Sequence, residues 1–222
     1  MSERILVVVD DAFEMSTLVA ALRMHEMDVI GEAKSESVAL NMVRRLQPDV
    51  ILLDMHIAGI SAIKIAVNMR KESPDIGVVI LESCSDLRLM GESNSDVPAG
   101  TKLLLKKSIV DFTVLCTAIV DSKISGAEKH KVAWINGNSS LQEKGILTLM
   151  ANLTDLQVEV LRLVVDGKTN AQIGRTRFVS EKSVEQVISR IAQELNVQPD
   201  RNMNMRVQLV NHYYRWLGAP HH

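Results

Sequence analysis

The stretch Ile5-Leu6-Val7-Val8-Val9-Asp10-Asp11 runs five aliphatic residues without a break into two carboxylates. A strand buried on both faces reads this way, because it has no solvent side to fill with polar residues. Val50 to Leu53 repeats the arrangement and ends in Asp54. Between these runs, Thr17, Leu18, Ala21 and Leu22, then Val38, Met42 and Leu46, recur at helical spacing. Val29-Ile30 is a strand in the gap, and Pro48 closes the second helix. The pattern then predicts a helix from Ser61 to Glu72, a turn at Ser73-Pro74-Asp75, strands Val78–Leu81 and Lys102–Leu105, and a helix from Ile109 to Ser122. Five strand–helix units imply an α/β fold over residues 1–122, a doubly wound five-stranded parallel sheet covered by helices on both faces. Such sheets carry their chemistry at the carboxyl ends of the strands.

The chain has 222 residues, 46% hydrophobic and 23% charged, which allows two small domains. No apolar run approaches the roughly 18 residues of a membrane span, and Met1 leads into charged residues rather than a signal peptide. The expected location is the cytoplasm, with no membrane partner. Cys84 and Cys116 have neither CxxC spacing nor His neighbours, so they read as buried thiols rather than zinc ligands or a disulfide. The net charge of −2 hides an asymmetry: residues 1–122 hold 12 basic and 18 acidic side chains, residues 153–222 hold 9 and 7. A mildly basic end permits a polyanion partner without demanding one.

Asp10 and Asp11 follow the first strand, Asp54 the third and Lys106 the last. Grouped carboxylates with open positions suit Mg²⁺, and a carboxylate beside a cation can act as a nucleophile and form an aspartyl-phosphate. Any single strand-end Asp is as readily a solvated turn former. Their placement at separate strand ends, with the lysine, is harder to assign to turns.

The motifs VVVDD (7–11), LLDM (52–55) and LLLKK (103–107) make residues 4–122 resemble the receiver domain of two-component response regulators. The resemblance implies Asp10, Asp11 and Asp54 as Mg²⁺ ligands, Asp54 as the residue phosphorylated by a histidine kinase, and Lys106 as partner of the phosphoryl group. Two departures concern the switch. Receivers follow the fourth strand with Thr or Ser, whereas Val78–Leu81 is followed by Glu82, with Ser83 one place later. Two like charges about 4 Å apart repel by roughly 4 kcal/mol at an effective dielectric near 20, comparable to the gap of a two-state switch. Either phosphorylation fails to signal, or a one-residue slip presents Ser83, or Glu82 pairs with Lys106 and fixes the pocket. Leu103 stands where receivers carry a switching aromatic. Gly, Asn, Ser and Pro between Gly91 and Gly100 argue against a long fourth helix.

Residues 123–152 read as a linker, with a basic segment at 128–131, Trp134 as a residue that could pack one domain on the other, a turn at 136–140 and a short helix Leu141–Met150. His130 there reads as solvated. From Leu153 to 218 the signal is helical only. Thr154-Asp155-Leu156-Gln157 is a capping box opening a helix that Asp166-Gly167 ends, and a short helix fits Asn170–Thr176. A third helix buries Val184, Val187, Ile188, Ile191 and Leu195, turning Lys182, Glu185, Gln186, Ser189 and Arg190 outward. A fourth spans Met205–Leu217. Two helices joined by a tight turn, the second with long polar side chains outside, suit a DNA major groove, and equally a small solvated bundle.

The stretches at 153–174 and 178–197 resemble the helix-turn-helix domain of LuxR-type regulators, with Glu159, Gly167, Asn170, Ile173, Ser180, Val184 and Ile191 in the family's places. Receiver plus this domain is the arrangement of NarL/FixJ-type response regulators. The resemblance implies double-stranded DNA as partner, a homodimer with contacts from the fourth helix, and Arg175, Arg177, Ser180, Lys182, Ser183, Glu185, Gln186, Ser189 and Arg190 as the DNA-facing set. Glu185 replaces a customary lysine, so phosphate affinity falls to Lys182, Arg190, Arg175 and Arg177, with Gln186 and Ser189 as base-edge candidates. Arg177 occupies a place the family fills with buried Leu; either Phe178 takes over that packing or the turn is rebuilt. The leading expectation is a phosphorylation-controlled transcription regulator. The alternative is a phosphorylation-independent one whose receiver-like domain is a dimerisation or protein-interaction module. A hydrolase using the acidic pocket ranks last, since no second reactant has an evident place.

Overall fold

The computed structural model describes residues 3–109, 111–135, 150, 152–197 and 203–217. The chain divides into two compact units, the first within 1–83 and 94–138, the second within 84–93 and 139–222.

The first unit is built on six parallel strands: β1 (Arg4–Val8), β2 (Asp28–Ala33), β3 (Val50–Asp54), β6 (Gly77–Glu82), β7 (Lys102–Leu105) and β8 (Ala133–Ile135). They lie in the order β2-β1-β3-β6-β7-β8. The apolar residues Ile5–Val9 and Val50–Leu53 are fully buried, as unbroken aliphatic runs require. Four helices connect the strands: α1 (Ala12–Met24), α2 (Glu36–Leu46), α3 (Ala62–Glu72) and α4 (Phe112–Ala127). Each is opened by a side chain that accepts a backbone N–H, from Asp11, Ser35, Ser61 and Asp111 respectively. A two-stranded antiparallel hairpin, β4 (His56–Ile57) with β5 (Ile60–Ser61), sits between β3 and α3.

The sheet has six strands rather than the expected five. Ala133–Ile135 pairs with the outer edge of β7 in the stretch read as linker, covering backbone groups that would otherwise remain an open edge. Trp134 therefore belongs to the sheet, in register with Leu103. The last helix begins at Phe112, later than read, because Lys106–Ser108 forms a 3-10 turn first. The region expected to lack a long helix holds two short 3-10 turns, Leu87–Met90 and Asn94–Asp96.

The second unit contains α5 (Asp155–Val165), α6 (Asn170–Arg177), α7 (Glu181–Glu194) and α8 (Met205–Trp216). The capping box read at Thr154 is present, and Thr169 with Gln172 forms another. The helix expected over Leu141–Met150 falls outside the described residues except for Met150, as does the turn at 136–140.

This unit incorporates the segment 84–93. Cys84 and Leu89 are buried in its core with Leu153, Leu161, Val164, Ile191, Leu209 and Trp216. The Tyr213 hydroxyl on α8 donates to the Leu89 carbonyl. Arg88 donates to the carbonyls of Leu153 at 2.8 Å and Met150 at 2.9 Å, and pairs with Asp86 at 2.8 Å and Asp155 at 3.0 Å. The Asp86 hydrogen bond leads in raising the guanidinium pKa further, against its burial and with help from Asp155. Gly91 ends the turn at φ +80°, a left-handed conformation that favours glycine.

Trp216 lies in this core and Trp134 in the first unit, so in a Trp134→Phe background fluorescence reports the helical unit alone. Leu89→Ala should lower the stability read by Trp216 during urea unfolding by about 2–5 kcal/mol. His212 on α8 lies beside Trp216, ring centroids 5.9 Å apart and tilted by 37°, and burial, with Arg215 adding to it, pulls the imidazole pKa down. The folded unit thus favours neutral His212, and stability present above the ordinary histidine range is lost as pH falls through it. Between about pH 7 and about pH 5 the urea midpoint of the wild type should fall further than that of His212→Gln.

Candidate functional site

The parallel register places three chemically active side chains at neighbouring strand ends. Asp54 ends β3 opposite Leu81, Glu82 ends β6 opposite Leu105, and Lys106 follows directly on β7. The Lys106 ammonium lies 2.7 Å from Asp54 Oδ1 and 2.8 Å from Glu14 Oε1. Burial opposes the lysine's charge, but the hydrogen bonds and charges of Asp54 and Glu14 outweigh it, and its pKa is raised. Asp54 Oδ1 also accepts the Met55 N–H at 2.9 Å. The pocket thus holds a carboxylate beside a fixed cation, the electrostatic arrangement that a negatively charged transferring group requires.

Glu82 is buried, 3% exposed, and its Oε1 accepts the Ser83 N–H at 2.6 Å. The carboxylate occupies the strand end itself, and Ser83 follows it. Leu103 is wholly buried within β7, an aliphatic side chain where an aromatic switch was looked for. Glu14, one turn into α1, was missed by the sequence reading: three residues after the cap Asp11, it looks like any acidic first-turn residue.

Receiver domains generally bind Mg²⁺ at the phosphorylation site, and oxygen donors of the right kind stand here. Asp10, Asp11 and Asp54 would hold such an ion, and each carboxylate already engages one oxygen, which leaves acceptor capacity on the other. Asp11 accepts the Glu14 N–H at 2.7 Å as the cap of α1, Asp10 Oδ2 accepts the Ala58 N–H at 2.7 Å, and Asp54 faces the lysine. Among the described residues no three His, Cys, Asp or Glu side chains gather at a metal-binding position.

The second candidate surface is on α6 and α7. Lys182, Glu185, Gln186, Ser189 and Arg190 are all exposed on α7, as their spacing predicts, and Arg175 is exposed on α6. Ser180 caps α7, accepting the Ser183 N–H at 3.1 Å, and the two hydroxyls bond to each other at 2.8 Å. Arg177 pairs with Glu159 at 2.8 Å. Phe178 does not take over the packing of the family's leucine: it is 96% exposed. The helix thus presents exposed polar side chains after a tight, capped turn, with Lys182, Arg175 and Arg190 as exposed cations on the same two helices.

Residues 5–119 match the family described as the response regulator receiver domain, and residues 142–207 match the bacterial regulatory proteins of the luxR family. The chain is 29% identical over 196 residues to the transcriptional regulatory protein LiaR of Bacillus subtilis, covering 87% of this chain and 91% of that one. It is 27% identical over 179 residues to the DNA-binding transcriptional activator DevR/DosR of Mycobacterium tuberculosis, covering 78% of each. In fold it resembles the response regulator RcsB in complex with DNA, with a TM-score of 0.58 at 17% identity over 98% of this chain and 100% of that one. A structure of two RcsB dimers bound to two parallel DNAs gives 0.59 at 16% identity over 99% of each. The chain belongs to the response regulators, pairing a receiver domain with a luxR-family DNA-binding domain.

Proposed function

We propose that this regulator takes a phosphoryl group from a histidine kinase onto Asp54 and that segment 84–93 carries the resulting change into its DNA-binding unit. In the transfer a carboxylate oxygen of Asp54 forms the new P–O bond as the P–N bond to the kinase histidine breaks. Lys106, already 2.7 Å from that carboxylate, offsets the added negative charge. The expectation that Asp10, Asp11 and Asp54 hold Mg²⁺ rests on the family, and no step here depends on it.

The observation that supports this route is the position of Cys84. Two residues after Glu82 at the pocket, it lies in the helical core, with Arg88 and Leu89 fastened just beyond it. A phosphoryl group beside the buried Glu82 carboxylate repels it, and movement of Glu82 pulls directly on Ser83 and Cys84. DNA contact falls to Arg175, Lys182, Glu185, Gln186, Ser189 and Arg190, with Ser180 and Ser183 fixing the start of α7 and Arg177 held by Glu159. We place the protein in the cytoplasm and read it as a homodimer on DNA. One reading competes, favoured by the buried Glu82 and by a lysine already neutralised by two carboxylates: a phosphorylation-independent regulator whose receiver domain is an interaction module.

Incubation of the full chain with acetyl phosphate, with and without Mg²⁺, followed by intact mass measurement, separates the two. Our reading expects a single phosphoryl adduct, absent in Asp54→Asn, and a change in affinity for genomic duplex fragments that the variant does not show. Absence of an adduct, with DNA affinity unmoved by the phosphodonor, establishes the competing reading.

A further inference from the structure

Phe178 takes no part in packing the two helices it joins. It follows α6 in the left-handed conformation at φ +56°, 96% exposed, with Val179 beside it 48% exposed. The turn that carries both is fixed. The Val179 N–H donates to the Gly174 carbonyl at 2.9 Å and the Phe178 N–H to the Arg175 carbonyl at 3.4 Å. A Cβ at Gly174 would come within 2.7 Å of the Val179 carbonyl, so the two backbones are pressed together. Held this way, the ring projects outward.

Folding alone disfavours this residue twice. A left-handed position suits Gly or Asn better than a residue with a bulky side chain, and a ring left in water gains nothing from burial. A side chain kept against its local preference marks a place where a partner supplies the compensation. The surroundings identify that partner. Phe178 stands two residues before Ser180, the cap of the DNA-facing helix α7, and the exposed cations Arg175 and Lys182 lie three residues before it and four after it. An apolar tip bordered by cations, continuous with a groove-reading face, matches a duplex. Among the groups that base edges present in the major groove, the apolar one is the C5-methyl of thymine.

We propose that Phe178 is a specificity-determining residue that contacts a thymine C5-methyl group at the edge of the site read by α7, with Val179 extending the apolar surface. The inference rests on DNA binding by α7 and adds a base preference to it. It also gives the turn a function that the polar residues on α7 do not provide.

The test uses the full chain and duplexes that the wild type selects from a randomised library, resynthesised with thymidine or with deoxyuridine, which lacks only the methyl group. Phe178→Asn keeps a residue suited to the left-handed turn. The variant should bind thymidine duplexes about five- to tenfold more weakly than the wild type and deoxyuridine duplexes equally well. Its salt dependence should match the wild type's, since no phosphate contact is removed, whereas Lys182→Ala should reduce the salt slope by about one. Its urea midpoint should be no lower than the wild type's. Equal binding of variant and wild type to thymidine duplexes overturns the proposal, as does an equal loss on both duplexes. Failure of the wild type to retain any duplex defeats DNA binding by α7 itself, a separate result.

Discussion

The guanidinium of Arg88 is bound by the carbonyls of Met150 and Leu153 and by the carboxylates of Asp86 and Asp155. Pulling this side chain out of the helical unit would leave two carbonyls and a part-buried carboxylate without their donor, a cost that grows as water is excluded. Leu89, beside it, is fully buried and hydrogen-bonded through its carbonyl to Tyr213. Together they make ten residues from the middle of the chain a part of the DNA-binding unit. The peptide that enters it starts at the strand end where Glu82 stands.

The pocket at that strand end is electrostatically settled. Lys106 lies against both Asp54 and Glu14, and its raised pKa shows that the carboxylates prevail over burial. Glu82 adds a buried carboxylate where a hydroxyl would have offered a hydrogen bond to an incoming phosphoryl oxygen. A hydroxyl can turn toward such an oxygen, while a carboxylate repels it. On the proposed reading, a phosphoryl group on Asp54 would therefore meet displacement rather than attraction, and the fastened segment 84–93 would be what that displacement moves.

Much of this was legible in the sequence because burial leaves a periodic trace. Unbroken aliphatic runs ending in Asp10 and Asp54 marked the central strands, and the i, i+3, i+4 spacing of Val184, Ile188 and Ile191 fixed the outward face of α7. Thr154 and Gln157 announced their capping box by spacing alone. What escaped notice has no such period. Ala133–Ile135 is too short to alternate, Glu14 is chemically identical to a first-turn acid with no pocket behind it, and although Cys84 read as a buried thiol, nothing in its loop marked it and Leu89 as part of the helical core. For Phe178 the sequence left two outcomes open, taking over the leucine's packing or a rebuilt turn, and only the backbone decides between them: the left-handed turn leaves its side chain exposed.

Amide hydrogen exchange of the full chain before and after acetyl phosphate treatment tests the central claim most directly. Exchange in residues 84–93 and in α8 should change together, and Asp54→Asn should abolish both changes. An adduct on Asp54 that leaves both segments unaltered, or that alters 84–93 without α8, would contradict the account.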